Sequence, residues 1–207
     1  MNLPNKLTLL RIILVPVVCA LIMYPIVPDY GIINRWLICG LVFGAAAITD
    51  ALDGNIARKR GIVTDFGKLL DPVADKLLVA GCLVCFVAAG LCSPWIVIIV
   101  LLREFLVTSM RMVEAGKGIV IPANNWGKAK TVVQIAAIVL VIVVEYCKYL
   151  IECFAAQWVG RSDALDMMEK MKSVDIFVKG VLWLSAAITL ISGGIYLYQC
   201  RSVFKDN

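Results

Sequence analysis

Six apolar stretches, residues 8–27, 33–54, 69–91, 94–114, 129–152 and 174–199, take up most of the 207-residue chain. Each has about the 20 apolar helical residues that a bilayer core demands. Hydrophobic residues make up 61% of the chain, more than a water-soluble domain of this length can bury against itself. In lipid, a helix satisfies its backbone polar groups within its own segment, so the stretches are read as helices. The expected fold is all-α: a polytopic membrane protein with six transmembrane helices. Residues 1–207 leave no room for a second large domain, so a single membrane domain is expected. Residues 7–26 are expected to stay in the protein rather than act as a cleaved leader. They contain Arg11, follow Asn2, Asn5 and Lys6, and lack a small-residue cleavage site.

Local punctuation separates the spans. Gly90 and Ser93-Pro94 predict a tight turn after the third, and Gly116 and Gly118 end the fourth. Pro122, Asn124 and Asn125 hold the following segment out of a long helix, and Pro16 is expected to kink the first span. Lys and Arg in the short loops set the orientation. Arg58, Lys59, Arg60 and Lys68 lie between spans two and three; Arg111, Lys117, Lys128 and Lys130 lie around the junction of four and five. Lys6 and Arg11 mark the N-terminus, Arg201 and Lys205 the C-terminus, and the turn between spans three and four is uncharged. Both termini are therefore predicted to be cytoplasmic. Residues 157–172 mix Arg161, Asp163, Asp166, Glu169, Lys170 and Lys172, and are expected to form a short surface helix on the far side.

The net charge is +5 and there is no histidine, so proton transfer must use another side chain or water. The eight cysteines fall mostly in apolar runs, where Cys packs as a small hydrophobe. Cys82 and Cys85 have the spacing of half a zinc site, but without a second pair they are read as packing residues.

Against this apolar background stands the run Asp50-Ala51-Leu52-Asp53-Gly54-Asn55-Ile56-Ala57-Arg58, followed by Gly67, Asp71 and Asp75. Four carboxylates at a membrane boundary are costly to desolvate. Asp50 and Asp53 share one helix face, as do Asp71 and Asp75. Two helices presenting these faces to each other would make a cluster that repels itself unless cations fill it. Hard oxygen ligands favour Mg²⁺ or Mn²⁺. A single Asp of this set could be an ordinary helix cap; eight fixed positions at set spacing are not explained that way. A cation transporter or channel would place acidic residues in the middle of several spans, whereas these crowd one boundary.

The pattern D-x-x-D-G-x-x-A-R-x8-G-x3-D-x3-D, matched at every fixed position from Asp50 to Asp75, resembles the signature of the CDP-alcohol phosphotransferases. The resemblance implies transfer of a phosphatidyl group from a CDP-lipid to an alcohol, with CMP leaving. It implies that Asp50, Asp53, Asp71 and Asp75 hold two Mg²⁺ or Mn²⁺ ions and that Asp75 is also the general base. Gly54, Ala57, Arg58 and Gly67 are implied to bind the CDP-lipid. The two glycines allow close approach to the backbone, and Arg58 meets the diphosphate. Asn5 and Thr8 are placed near the diphosphate by the same resemblance; capping of the first helix is the alternative.

Four more cations, Arg103, Arg111, Lys128 and Lys130, lie at or just inside the cytoplasmic ends of spans four and five. Arg103 and Arg111 are eight residues apart, a little over two helical turns, so they share a face. Such a set suits an acceptor that carries a phosphate. Arg103 sits in an apolar run and needs a partner; Glu104 is either that partner or orients another cation. The runs of residues 2–11, 103–111 and 127–131 resemble the branch of the family that joins CDP-diacylglycerol to sn-glycerol 3-phosphate, giving phosphatidylglycerol phosphate and CMP. This resemblance extends from Met1 to about Gln134. It implies a multi-pass protein of a bacterial inner (plasma) membrane, in contact with membrane lipids, with its active site facing the cytoplasm. It also implies a homodimer, and no nucleic-acid partner is expected. A cardiolipin synthase, with phosphatidylglycerol as acceptor, is the nearest alternative.

Overall fold

The computed structural model describes the backbone of residues 3–25, 32–60, 65–116, 125–158 and 161–200. Side chains are described for all of these except 3–7, 50–60, 65–72, 75, 115, 125, 126, 128, 154–158, 161–166, 168 and 169. Among the described residues the regular structure is six helices and no strand: α1 (Leu3–Met23), α2 (Arg35–Arg60), α3 (Asp65–Ala88), α4 (Pro94–Gly116), α5 (Asn125–Trp158) and α6 (Arg161–Gln199). They correspond one for one to the six apolar stretches. α1 runs through Pro16 as one helix.

The turn between α3 and α4 shows how the sequence ends a helix. Gly90 has φ +75°, the left-handed conformation that a residue without Cβ adopts freely. The amides of Leu91 and Cys92 then donate to the Phe86 carbonyl at 2.8 and 3.2 Å. Ser93 precedes Pro94 at the first position of α4, where a missing N–H costs nothing. Asn34 caps α2 in another way: its Oδ1 accepts from the Leu37 amide at 3.0 Å.

Packing follows small and apolar faces. α1 packs on α2 and α3, α5 on α6 and α2, and α4 on α6 and α3. One core runs through the bundle and includes Val18, Phe43, Phe86, Ile96, Ile138 and Leu182. Cys39, Cys82 and Cys85 belong to it, and all eight cysteines are free thiols. At Gly81 a Cβ would stand 3.1 Å from both Cys19 Sγ and Val15 Cγ1, so the bare glycine is what lets α1 and α3 approach. Towards one end of the α5–α6 pair, Lys148 donates to Glu145 at 2.6 Å and to Asp175 of α6.

The outer surface is also apolar. Leu41, Ile48, Trp95, Phe105, Val132, Ile176 and Phe177 are all more than half exposed. Water would penalise such a surface, and lipid does not. Ala129–Cys153 of α5 and Lys170–Gln199 of α6 are long and apolar enough to cross a membrane; Thr8–Met23, Arg35–Thr49 and Lys76–Ala88 are shorter apolar segments. These are the helices of a membrane protein.

One expectation is corrected. Residues 161–172 do not form a separate surface helix; they are the first turns of α6, which continues unbroken to Gln199. Between Arg161 and Lys179 there is no Gly or Pro, while Ala, Leu, Met, Glu and Lys are frequent. Nothing there stops a helix. With 39 residues, α6 is roughly 58 Å long, so it outruns a bilayer core of about 30 Å.

Candidate functional site

A cleft of about 430 Å³, its open mouth included, lies between α3, α4 and α5, lined by apolar Val79, Val100, Leu101 and Phe105 and by polar Lys76, Glu104, Lys130 and Gln134. Its polar groups form a chain. Glu104 Oε1 accepts from Arg103 Nη1 at 3.2 Å and from Lys130 Nζ. Glu104 is thus both the partner of Arg103 and a tether for Lys130, joining α4 to α5. Lys76 of α3 donates to Thr108 Oγ1 of α4, whose hydroxyl in turn donates to the Glu104 carbonyl at 2.7 Å. Arg103 and Lys130 are only 6% and 7% exposed. Ion pairs this deep hold only when their partners are in place.

Arg111 lies two turns further along α4, on the same face, and is exposed. Its guanidinium carbon stands 5.5 Å from the ring centroid of Tyr196 in α6, within cation–π range. Tyr196 donates its hydroxyl to Glu114 Oε2 at 2.7 Å. Glu114 is buried, and its Oε1 has no hydrogen-bond partner among the described residues. Arg103 also reaches α6, where its Nη2 donates to Ser192 Oγ at 2.9 Å. The structure therefore brings Arg103 and Lys130 together through Glu104 and sets Arg111 apart against α6. The side chain of Lys128 lies outside the described residues.

On α1, Thr8 and Arg11 share one face and are buried, at 1% and 2% exposure. The helix that carries them packs on α2 and α3, the two helices that carry the Asp run. The backbone places Asp50 and Asp53 in the last three turns of α2 and Asp71 and Asp75 in the first half of α3. The side chains of these four, and of Asn5, Gly54, Ala57, Arg58 and Gly67, lie outside the described residues. Among the described residues no group of His, Cys, Asp and Glu could hold a metal. The Asp set itself, four carboxylates on two helices packed against one neighbour, is a hard-oxygen donor set of the kind that holds a divalent cation.

A family model described as CDP-alcohol phosphatidyltransferase matches residues 1–191, nearly the whole chain. The chain belongs to this family. Members of the family generally depend on a divalent metal. Among curated relatives, a CDP-diacylglycerol–glycerol-3-phosphate 3-phosphatidyltransferase of Bacillus subtilis is 46% identical over 143 residues, covering 66% of this chain and 74% of that protein. A protein of the same name from Rickettsia typhi is 32% identical over 206 residues, covering 98% of this chain and 99% of its own length. One from Mycoplasma pneumoniae is 34% identical over 170 residues, 80% of this chain and 67% of that protein. The match therefore reaches through α6, where the sequence motifs fade.

Several polar residues around the cleft were not singled out from sequence: Lys76, Thr108, Glu114, Gln134, Ser192 and Tyr196. Each is a polar residue in or beside an apolar helical run, which is a usable signal because lipid makes such residues costly. Lys76 follows directly after Asp75 and could have been found that way. Gln134 was passed over although it is buried and its Nε2 donates to Thr189 Oγ1 at 3.0 Å.

Proposed function

We propose that this protein transfers the phosphatidyl group of CDP-diacylglycerol to sn-glycerol 3-phosphate, releasing CMP and forming phosphatidylglycerol phosphate. The observation that carries this acceptor is the buried Arg103–Glu104–Lys130 cluster beside the cleft. Two cations, Arg103 and Lys130, share the Glu104 carboxylate there, and such a cationic pair suits a phosphate-bearing acceptor. The shared name of the bacterial relatives supports the same reaction.

In this reading Arg103, Arg111, Lys128 and Lys130 bind the acceptor's phosphate. Asn5, Thr8, Gly54, Ala57, Arg58 and Gly67 bind the CDP-lipid, with Arg58 on its diphosphate. Two Mg²⁺ or Mn²⁺ ions held by Asp50, Asp53, Asp71 and Asp75 would neutralise the diphosphate and the departing CMP. Asp75 takes the proton of an acceptor hydroxyl as its oxygen bonds to the lipid phosphorus and the bond to CMP breaks. Thr8 is buried on α1, the helix that packs on α2 and α3, and this supports its assignment to the lipid-diphosphate site.

The wider reading follows. Residues 1–207 are one domain with six spans, both termini and the site cytoplasmic, in the inner or plasma membrane of a bacterium. The chain works as a homodimer. The deciding experiment gives purified protein CDP-diacylglycerol and radiolabelled glycerol 3-phosphate, and follows labelled lipid and CMP. Equal turnover with glycerol or inositol overturns the acceptor. Product formed from phosphatidylglycerol in its place identifies a cardiolipin synthase.

A further inference from the structure

α6 lies beyond the motifs that carry the chemistry, yet it buries a stripe of polar side chains. Ser185, Thr189, Ser192 and Tyr196 recur at intervals of four, three and four residues, one face of a helix, and all are buried. The stripe meets α4 and α5. Thr189 takes Gln134 of α5, Ser192 takes Arg103 of α4, and Tyr196 takes Glu114 and stacks near Arg111. In an apolar helix, residues of this kind either glue helices together or serve a site.

Gly193 distinguishes the two roles. A Cβ built there would stand 2.8 Å from Arg103 Cγ, closer than real Cβ atoms come, and 3.8 Å from Nε. Arg103 therefore lies in a notch that only glycine leaves open. Gly194 and Gly180 on the same helix have open space around them. The three nearest atoms that a Cβ at Gly193 would meet all belong to Arg103, a cation of the proposed acceptor site, whereas the Cβ at Gly81 would meet apolar packing residues.

We propose that Gly193 and Tyr196 of α6 are positioning residues for the acceptor's phosphate: Gly193 seats Arg103, and Tyr196, braced by Glu114, seats Arg111. The proposal rests on the acceptor reading above. An arginine on a flexible stem binds phosphate well only when its fork is held beforehand, because its rotamer freedom is otherwise lost on binding. Ser192 Oγ fixes one end of the Arg103 fork, and the bare Gly193 backbone fixes its stem.

The test is steady-state kinetics of Gly193→Ala, Tyr196→Phe and Tyr196→Leu in detergent, with KM measured separately for glycerol 3-phosphate and CDP-diacylglycerol. Gly193→Ala and Tyr196→Leu are expected to raise KM for glycerol 3-phosphate at least about fivefold, with KM for CDP-diacylglycerol nearly unmoved. Tyr196→Phe keeps the ring but loses the bond to Glu114, so it falls between wild type and Tyr196→Leu. Gly180→Ala, in open space, is the control. The decisive variant is Arg103→Ala combined with Gly193→Ala. It should be no worse than Arg103→Ala alone, since the remaining Arg103 Cβ position is 3.9 Å from the new methyl, ordinary contact. Additive loss, or equal loss for both substrates, overturns the proposal and leaves α6 a packing helix. If Gly193→Ala does not fold, by thermal unfolding, Tyr196→Phe carries the same test with one oxygen removed. If Arg103→Ala and Arg111→Ala raise KM while the α6 variants do not, the proposal falls and the acceptor reading stands. If none raises it, both fall.

Discussion

Lys130 of α5 donates a hydrogen bond to the carboxylate of Glu104 in α4, and both side chains are largely shielded, at 9% and 14% exposure. The pair closes one side of the cleft and fixes α5 against α4. Removing the carboxylate takes a shared partner from two cations at once, because Arg103 uses the same oxygen. Glu104→Ala should therefore destabilise the protein by roughly 3–5 kcal/mol, as for a broken buried pair. Glu104→Gln keeps an acceptor oxygen and should lose less. Thermal unfolding in detergent ranks the two; equal and near-zero shifts would show that the pair is solvated.

The acceptor site is tested by Arg111→Ala and Lys130→Ala. A charged hydrogen bond is worth about 1.5–3 kcal/mol, so each variant should raise KM for glycerol 3-phosphate about tenfold or more. KM for CDP-diacylglycerol should move far less, because the proposal assigns its diphosphate to Arg58 and the Asp set. Lys117→Ala, which is not among the proposed phosphate-binding residues, is the control. An unchanged KM in both variants places the phosphate elsewhere.

In the proposed site four carboxylates from α2 and α3 share one place, which bare anions could not do. Activity should vanish with excess chelator and return with Mg²⁺ or Mn²⁺. Asp50→Asn and Asp71→Asn should each cost several orders of magnitude in kcat/KM, with folding retained. Full turnover in chelator would end the metal assignment.

Asp75 has a second role in this scheme, as proton acceptor. Asp75→Asn should abolish transfer yet leave CDP-diacylglycerol binding largely intact, measured by equilibrium binding to the detergent-solubilised variant. Binding lost as completely as in Asp71→Asn would make Asp75 a ligand only.

Much of this protein was legible in the chain. Long apolar runs fixed six helices because lipid permits no other way to satisfy an isolated backbone segment. Gly90 and Pro94 marked the α3–α4 turn, since a left-handed residue and a first-turn proline are local demands. The Asp run and the four cations stood out by residue type and spacing, and the family resemblance supplies the roles proposed for them. The mixed charge of residues 157–172 predicts a short helix separate from the sixth span, whereas the helix from Arg161 runs on to Gln199 because no helix-breaking residue stands at the junction.

Tertiary structure decided which of the polar residues meet. Sequence spacing put Arg103 and Arg111 on one face of α4, but only the packing of α4 on α6 gave them Ser192, Gly193 and Tyr196 as neighbours. Those residues lie 81 to 93 positions away in the chain (192 − 111 and 196 − 103). Spacing rules reach only along one helix, a few turns at most. A contact between helices depends on how two faces rotate and slide against each other, and that is settled by the shapes of many side chains at once.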